Sequence, residues 1–218
     1  MDFNFMLVVE SMPYLLKGAL ITISISLLAI ILGVLIGFII AFFRLSGNML
    51  LDLFARIFVN LIRGIPFFIQ IFIVYYSLTS IGIELSAFVS GMLAMAINTA
   101  AFQAEIYRSG IESIARGQKE AAFALGISKT QTMRRLVIPQ VFTKVLPSLT
   151  NEFIILLKNS SLVSVIGVVE LTRVGGQIVS TTYSPAEIYI TVAILYFLIN
   201  MFISQLSRYM ERRAVMYH

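Results

Sequence analysis

Three side chains place strong hydrogen-bonding groups in sequence that is otherwise apolar enough for lipid: Glu152, Asn98 and Gln70. An ionisable group in hydrocarbon is costly, so it turns toward a cavity or a partner rather than toward lipid tails. Glu152 stands eight residues beyond Lys144, roughly 12 Å along a helix rising about 1.5 Å per residue, which is well inside a bilayer. A carboxylate there accepts an ammonium group, or a guanidinium through two parallel hydrogen bonds. The chemistry expected is reversible binding of a cation by Glu152, with Asn98 and Gln70 lining the same site. The same residues admit a structural reading, in which Glu152 pairs with a base on another helix and the two amides bond between helices. Lys158 with Ser160 and Ser161 forms a second polar group, suited either to a carboxylate or to a helix break. Glu105 and Arg108, three apart on one helical face, read as a structural ion pair. Covalent and metal chemistry find little support. The chain has no cysteine, its one histidine is the terminal His218, and no G-x-x-x-x-G-K-[ST] phosphate loop occurs.

The elements that must hold these groups are membrane helices. Of 218 residues, 59% are hydrophobic and only 12% are charged, whereas soluble domains carry about a quarter charged residues. The expected fold is all-α: one polytopic domain over 1–218, with five spans at about Tyr14–Phe43, Phe54–Ser80, Leu85–Tyr107, Val145–Val165 and Ala186–Leu206. Gly33 and Gly37 make a small-xxx-small pattern that lets helices approach closely. Arg56 and Arg63 are placed in the first turns of the second span, where they can snorkel to an interface. Gly64-Ile65-Pro66 then weakens that helix. Gly167 to Pro185 reads as a loop carrying Gly175-Gly176 and a small interfacial helix around Val169–Arg173. Five spans put the termini on opposite sides. With the amino terminus outside, one side collects Arg44, Arg56, Arg63, Arg208, Arg212, Arg213 and the bases between the third and fourth spans. The other side receives Lys17 and Arg173, so the positive-inside rule makes the crowded side cytoplasmic. The net charge of +5 therefore reflects membrane topology and implies no nucleic acid.

Those bases lie in Arg108–Pro147, a polar stretch in an apolar chain: Arg108, Arg116, Lys119, Lys129, Arg134, Arg135 and Lys144. Its centre reads as two short helices around a corner. Alanine, leucine and glutamate favour the first, Glu120-Ala121-Ala122-Phe123-Ala124-Leu125, with Glu120 near its positive end. Gly126 can take the left-handed conformation that ends a helix. Ser128 followed by Gln131 has the spacing of a capping box that starts the second helix, and Pro139 limits its continuation. A small-residue helix presenting Phe123 and Leu125 on a cytoplasmic loop has nothing in lipid to bury against, and is expected to plug into another protein. Arg134 and Arg135 suit either that partner or anionic lipid headgroups.

The order of these residues resembles a known signature. Glu-Ala-Ala, three residues, Gly126, nine residues, Leu136, one residue, then Ile138-Pro139 is similar to the cytoplasmic motif of ATP-binding-cassette importer permeases, with Leu136 and Ile138 replacing the commoner Ile and Leu. Arg63-Gly64-Ile65-Pro66-Phe67-Phe68-Ile69-Gln70, Ala104-Glu105-Ile106-Tyr107-Arg108-Ser109-Gly110 and Lys158-Asn159-Ser160-Ser161-Leu162 extend the likeness to the polar amino-acid permeases, the histidine, arginine and glutamine group. The resemblance implies that Glu120, Ala121, Ala122, Phe123, Leu125 and Gly126 form a coupling helix seated on a separate ATPase subunit. That partner binds ATP, and the chain itself needs no cofactor. It further implies a second permease copy, identical or related, an extracytoplasmic amino-acid-binding protein, and the prokaryotic cytoplasmic membrane. Import would proceed by alternating access, with Glu152, Asn98 and Gln70 receiving a basic amino acid; glutamine or glutamate is the alternative substrate. A passive channel or an assembly subunit is the competing class, and neither requires a docking hairpin.

Overall fold

Hydropathy demands helices and local capping residues decide where they begin. The computed structural model describes residues 3–216; His218 and the side chains of Arg212 and Arg213, used in the histidine and charge arguments, lie outside the described residues. Among these residues the chain is all-α: α1 Phe5–Leu45, α2 Met49–Gly64, α3 Phe67–Ser80, α4 Ala87–Glu112, α5 Arg116–Ala124, α6 Lys129–Ile166, α7 Leu171–Thr182 and α8 Pro185–Met216. Asn4, Asn48, Ser86, Ser128 and Glu170 each accept a backbone N–H at the start of α1, α2, α4, α6 and α7. These oxygens satisfy donors that a helix start leaves free.

Four helices are long and apolar enough to cross a membrane, α1, α4, α6 and α8, and α2 with α3 makes a fifth span if the pair is counted as one. That second span is not the continuous Phe54–Ser80 helix expected. It bends by 108° between Gly64 and Phe67. Pro66 donates no hydrogen bond, and its ring forces Ile65 into extended backbone at φ −103°, ψ 131°. Arg63 consequently belongs to the last turn of α2, not to the first turns of a longer span.

The core is built around α1 and α4, the most extensive helix pair in the described chain. Gly33 and Gly37 make it possible. A Cβ on Gly33 would stand 2.8 Å from the Thr99 methyl, and one on Gly37 would stand 2.6 Å from Gln103 Cβ and 2.9 Å from the Ala100 carbonyl oxygen. Ile25, Ala29, Ile71, Met95, Leu156 and Val163 then close a buried cluster drawn from α1, α3, α4 and α6.

Pro139 does not stop the second helix of the hairpin. α6 runs unbroken from the hairpin through the fourth span, because a wide turn at Met133–Val137 precedes the proline. The α-helical segment that resumes after that turn places Pro139 in its first turn, where no donor is needed. At the far end the helix tightens over Ser160–Ile166, and the hydroxyls of Ser160, Ser161 and Ser164 bond back to the carbonyls of Leu157, Lys158 and Ser161. Gly167 ends it at φ 99°. These serines belong to the helix ending, and Lys158 is exposed.

α7 is longer than the expected Val169–Arg173 helix and includes both glycines assigned to the loop. Gly175 faces Val192 of α8, where a Cβ would come within 2.8 Å. Its N-cap, Glu170, is fully buried. The carboxylate accepts from the N–H of Thr172 at 2.9 Å, the N–H of Arg173 at 2.7 Å and the Tyr196 hydroxyl at 2.8 Å, while Leu171 N–H donates to the Thr22 hydroxyl. One side chain thus ties α7 to α8, and Thr22 ties it to α1. Glu170→Ala removes the cap and takes one of two partners from the Tyr196 hydroxyl, which keeps Thr172, a loss of about 1–3 kcal/mol. The purified protein should lose its monodisperse form at a temperature several degrees lower in a detergent melting series, and an unchanged transition would count against this role.

Candidate functional site

Gln70 lies in the first turn of α3, immediately after the bend. Its Nε2 donates to the carbonyls of Ile62 at 2.7 Å and Ile65 at 2.8 Å, and its Oε1 accepts from Asn98 Nδ2 at 3.1 Å. The two carbonyls end α2 and have no further helical turn to bond to, so Gln70 supplies the donors that the break removes. Asn98, on α4, holds Gln70 in that pose. Two of the three candidate residues are therefore brought together, as a brace across the broken span, with most of Gln70's capacity used on backbone.

Glu152 is a separate feature. It lies on α6 and is 8% exposed; among the described residues no hydrogen bond or ion pair within 4 Å engages its carboxylate, and the base whose field reaches it is Arg63. Neither Gln70 nor Asn98 bonds to it. A nearly buried acid with open lone pairs suits a cationic ligand, since a buried charge without a partner is costly. The Arg63 guanidinium lies 5.3 Å from the centre of the Phe102 ring in a cation–π contact. Lower on α4, Arg108 bridges Glu105 and Glu112, which confirms the expected structural ion pair and enlarges it by one acid.

The hairpin forms a second site. α5 ends as the sequence predicts, with Gly126 at φ 73° and the N–H groups of Gly126 and Ile127 bonded to the carbonyls of Phe123 and Ala122. The capping box at Ser128 and Gln131 is complete in both directions. One expectation changes. Glu120 is in the second turn of α5, whose first turn holds no acid, so it does not sit at the positive end. Ala122 is 6% exposed and faces the chain itself, while Glu120, Ala121, Phe123, Leu125 and Gly126 are exposed. Phe123 is 50% and Leu125 79% exposed, two apolar side chains on a rigid corner. Ile114, Val137, Val141 and Val145 form a buried cluster where the end of α4 meets α6, and Gln140 donates to Gln118 at 2.9 Å across the hairpin. Sequence reasoning missed Arg63 and Glu170 as positioned groups. The G-I-P break was a usable signal for Arg63; for Glu170 only the N-cap spacing to Arg173 was available.

A bundle with a broken second span, an unpaired acid inside it and a capped apolar corner at one end is the architecture of a multi-pass transport component. The chain belongs to the family of binding-protein-dependent transport system inner membrane components, whose model matches residues 29–216. It is 35% identical to the glutamine transport system permease protein GlnP of Escherichia coli K12 over 215 residues, 98% of each chain. It is 36% identical to the nopaline transport system permease protein NocM of Agrobacterium fabrum, covering 92% of this chain and 87% of that one. A solved structure of an amino acid ABC transporter with histidines superposes with a TM-score of 0.93 at 39% identity, over 98% of this chain and 100% of that one. A chain of the MetNI methionine ABC transporter, 21% identical over 93% of this chain and 97% of that one, shares the fold with a TM-score of 0.78. The protein is accordingly a multi-pass inner-membrane component.

Proposed function

We propose that residues 1–218 form one permease domain of an ATP-driven importer of polar amino acids, with basic amino acids as substrates. The observation that carries this reading is the likeness, over almost the full length, to a chain of an amino acid ABC transporter with histidines. Glu152 supports the preference for basic substrates, as an almost buried carboxylate free to take an ammonium or guanidinium group. Residues 108–147 form the coupling region, on the cytoplasmic side by the positive-inside rule, with the amino terminus outside. Phe123 and Leu125 seat on an ATPase subunit, which binds and hydrolyses ATP; a second permease copy and an extracytoplasmic amino-acid-binding protein complete the assembly. ATP draws the two ATPases together, the hairpins approach each other, and the spans open outward to receive ligand from the delivery protein. A glutamine-type substrate is the second reading, favoured by the likeness to the glutamine permease.

The test is uptake into proteoliposomes holding the complete transporter. Glu152→Gln should raise the half-saturating L-arginine concentration at least tenfold, the scale of losing a partner from a desolvated charge pair, with L-glutamine uptake little affected. Unchanged L-arginine transport at normal assembly refutes the basic-substrate reading, and uptake without ATP refutes the importer.

A further inference from the structure

We infer that Arg63 receives the α-carboxylate of the transported amino acid, so that Arg63 and Glu152 form a dipolar site for a zwitterion. The inference rests on the proposed function and names a residue and a ligand group that it leaves open.

The geometry begins with register. Lys144 Nζ donates to the Ser113 carbonyl at 3.3 Å, which sets the lower ends of α4 and α6 side by side. From that level Phe102 lies eleven residues up α4 and Glu152 eight residues up α6, roughly 16 Å and 12 Å at about 1.5 Å per residue. The guanidinium held over Phe102 is therefore at nearly the same depth as the Glu152 carboxylate, and its field reaches Glu152. Glu105, the other acid it influences, is already engaged by Arg108. Among the described residues no carboxylate lies within 4 Å of Arg63, and the space beside the adjoining Gly64 is open.

Arg63 is exposed on the isolated chain, and within a bilayer such an arginine without an acid partner turns to a ligand or a water-filled cavity. Its planar fork matches a carboxylate in two parallel bonds, a fit that lysine lacks. The side chain is also aimed. Phe102 supports one face of the guanidinium, and the last turn of α2 beneath it is fastened by Gln70 to Ile62 and Ile65. The brace that repairs the broken span thus orients the residue just before the break. Two charges of opposite sign at one depth recognise the two ends of an amino acid, and Arg63 tempers the attraction of Glu152 for simple cations.

The test uses the purified complex of this chain with its ATPase subunits, without the delivery protein. Binding of L-arginine is compared with that of agmatine, which keeps the guanidinium and amine but lacks the carboxylate. Wild type should bind L-arginine at least tenfold more tightly than agmatine. Arg63→Gln should weaken L-arginine at least tenfold while agmatine binds equally well or better, because a repelling cation has gone. A merely structural role for Arg63 would weaken both ligands alike and overturns the inference, as does a wild-type complex that binds the two equally. If Arg63→Gln fails to assemble, the wild-type comparison and Arg63→Lys, which keeps charge and loses the fork, decide the matter on the same criterion. If wild type binds no L-arginine, the basic-substrate reading alone fails, and L-glutamine against γ-aminobutyramide replaces the pair. Loss of L-arginine binding in Glu152→Gln with Arg63→Gln unaffected upholds the first proposal and rejects this one.

Discussion

Phe123→Asp should abolish ATP-driven uptake, by a hundredfold or more, while the protein still accumulates in the membrane at the wild-type level. The two halves of this result follow from where the side chain sits. Phe123 is half exposed and lies outside the buried clusters, so its own fold gains little from it. The corner that presents it is held by Gly126, the capping box and the Gln140–Gln118 bond, none of which involves the phenyl ring. A partner that closes over Phe123 would have to desolvate a carboxylate instead. Truncating or charging such an anchor weakens an interface by about 2–4 kcal/mol or more, and roughly 2.7 kcal/mol is already a hundredfold. Recovery of the ATPase on affinity purification of the permease, ATP hydrolysis and uptake should therefore fall together. Leu125→Asp should behave alike, being still more exposed. Loss of the chain from the membrane, with coupling intact in whatever remains, would put Phe123 in the core and overturn the docking role.

The second large effect is expected at the seam between α1 and α4. Gly37→Leu should reduce the yield of monodisperse protein several-fold, through failure to pack rather than through any functional step. One of the atoms a Cβ would meet is the Ala100 carbonyl oxygen at 2.9 Å, and backbone cannot rotate aside as a side chain can. A leucine there forces the two helices apart along the whole contact, and overpacking of this kind costs about 1–3 kcal/mol or more when backbone must move. Gly117→Ala in α5 is the control, because an added Cβ there meets nothing within 4 Å. An alanine in an open helical position should be neutral or stabilising by up to about 1 kcal/mol. Size-exclusion chromatography of both variants in one detergent separates the outcomes, and a Gly37→Leu protein that elutes like wild type would mean the seam is not fastened as described.

Several features that direct these tests were legible in the chain. Apolar length announced the spans, Gly33 and Gly37 the close helix pair, Gly126 and Ser128 the corner, and Glu105 with Arg108 the ion pair. Each depends on residues a few positions apart, or on the average character of about twenty, so linear order contains the information. Glu152 was legible for the same reason, as a charge in an apolar run.

Other features arose only when distant segments met. Pro66 and Gly64 signalled a weak point, but an angle of 108° is set by what Gln70 and Asn98 hold on either side of it. Pro139 looked like a stop, and the wide turn before it let α6 continue. Ala122 is buried while Ala121 and Phe123 beside it are exposed, which composition does not reveal. Glu170 lay within the short helix expected around Val169–Arg173, and only the fold brought Thr22 and Tyr196, roughly 150 residues before it and 26 after it, to the cap it forms. Linear order settles which segments are helical, where they start and which groups are too polar for lipid, because capping and hydrophobic transfer are local energies. Which polar groups satisfy one another and which remain open depends on the packing of distant helices, because a buried donor takes whatever acceptor that packing brings within about 3 Å.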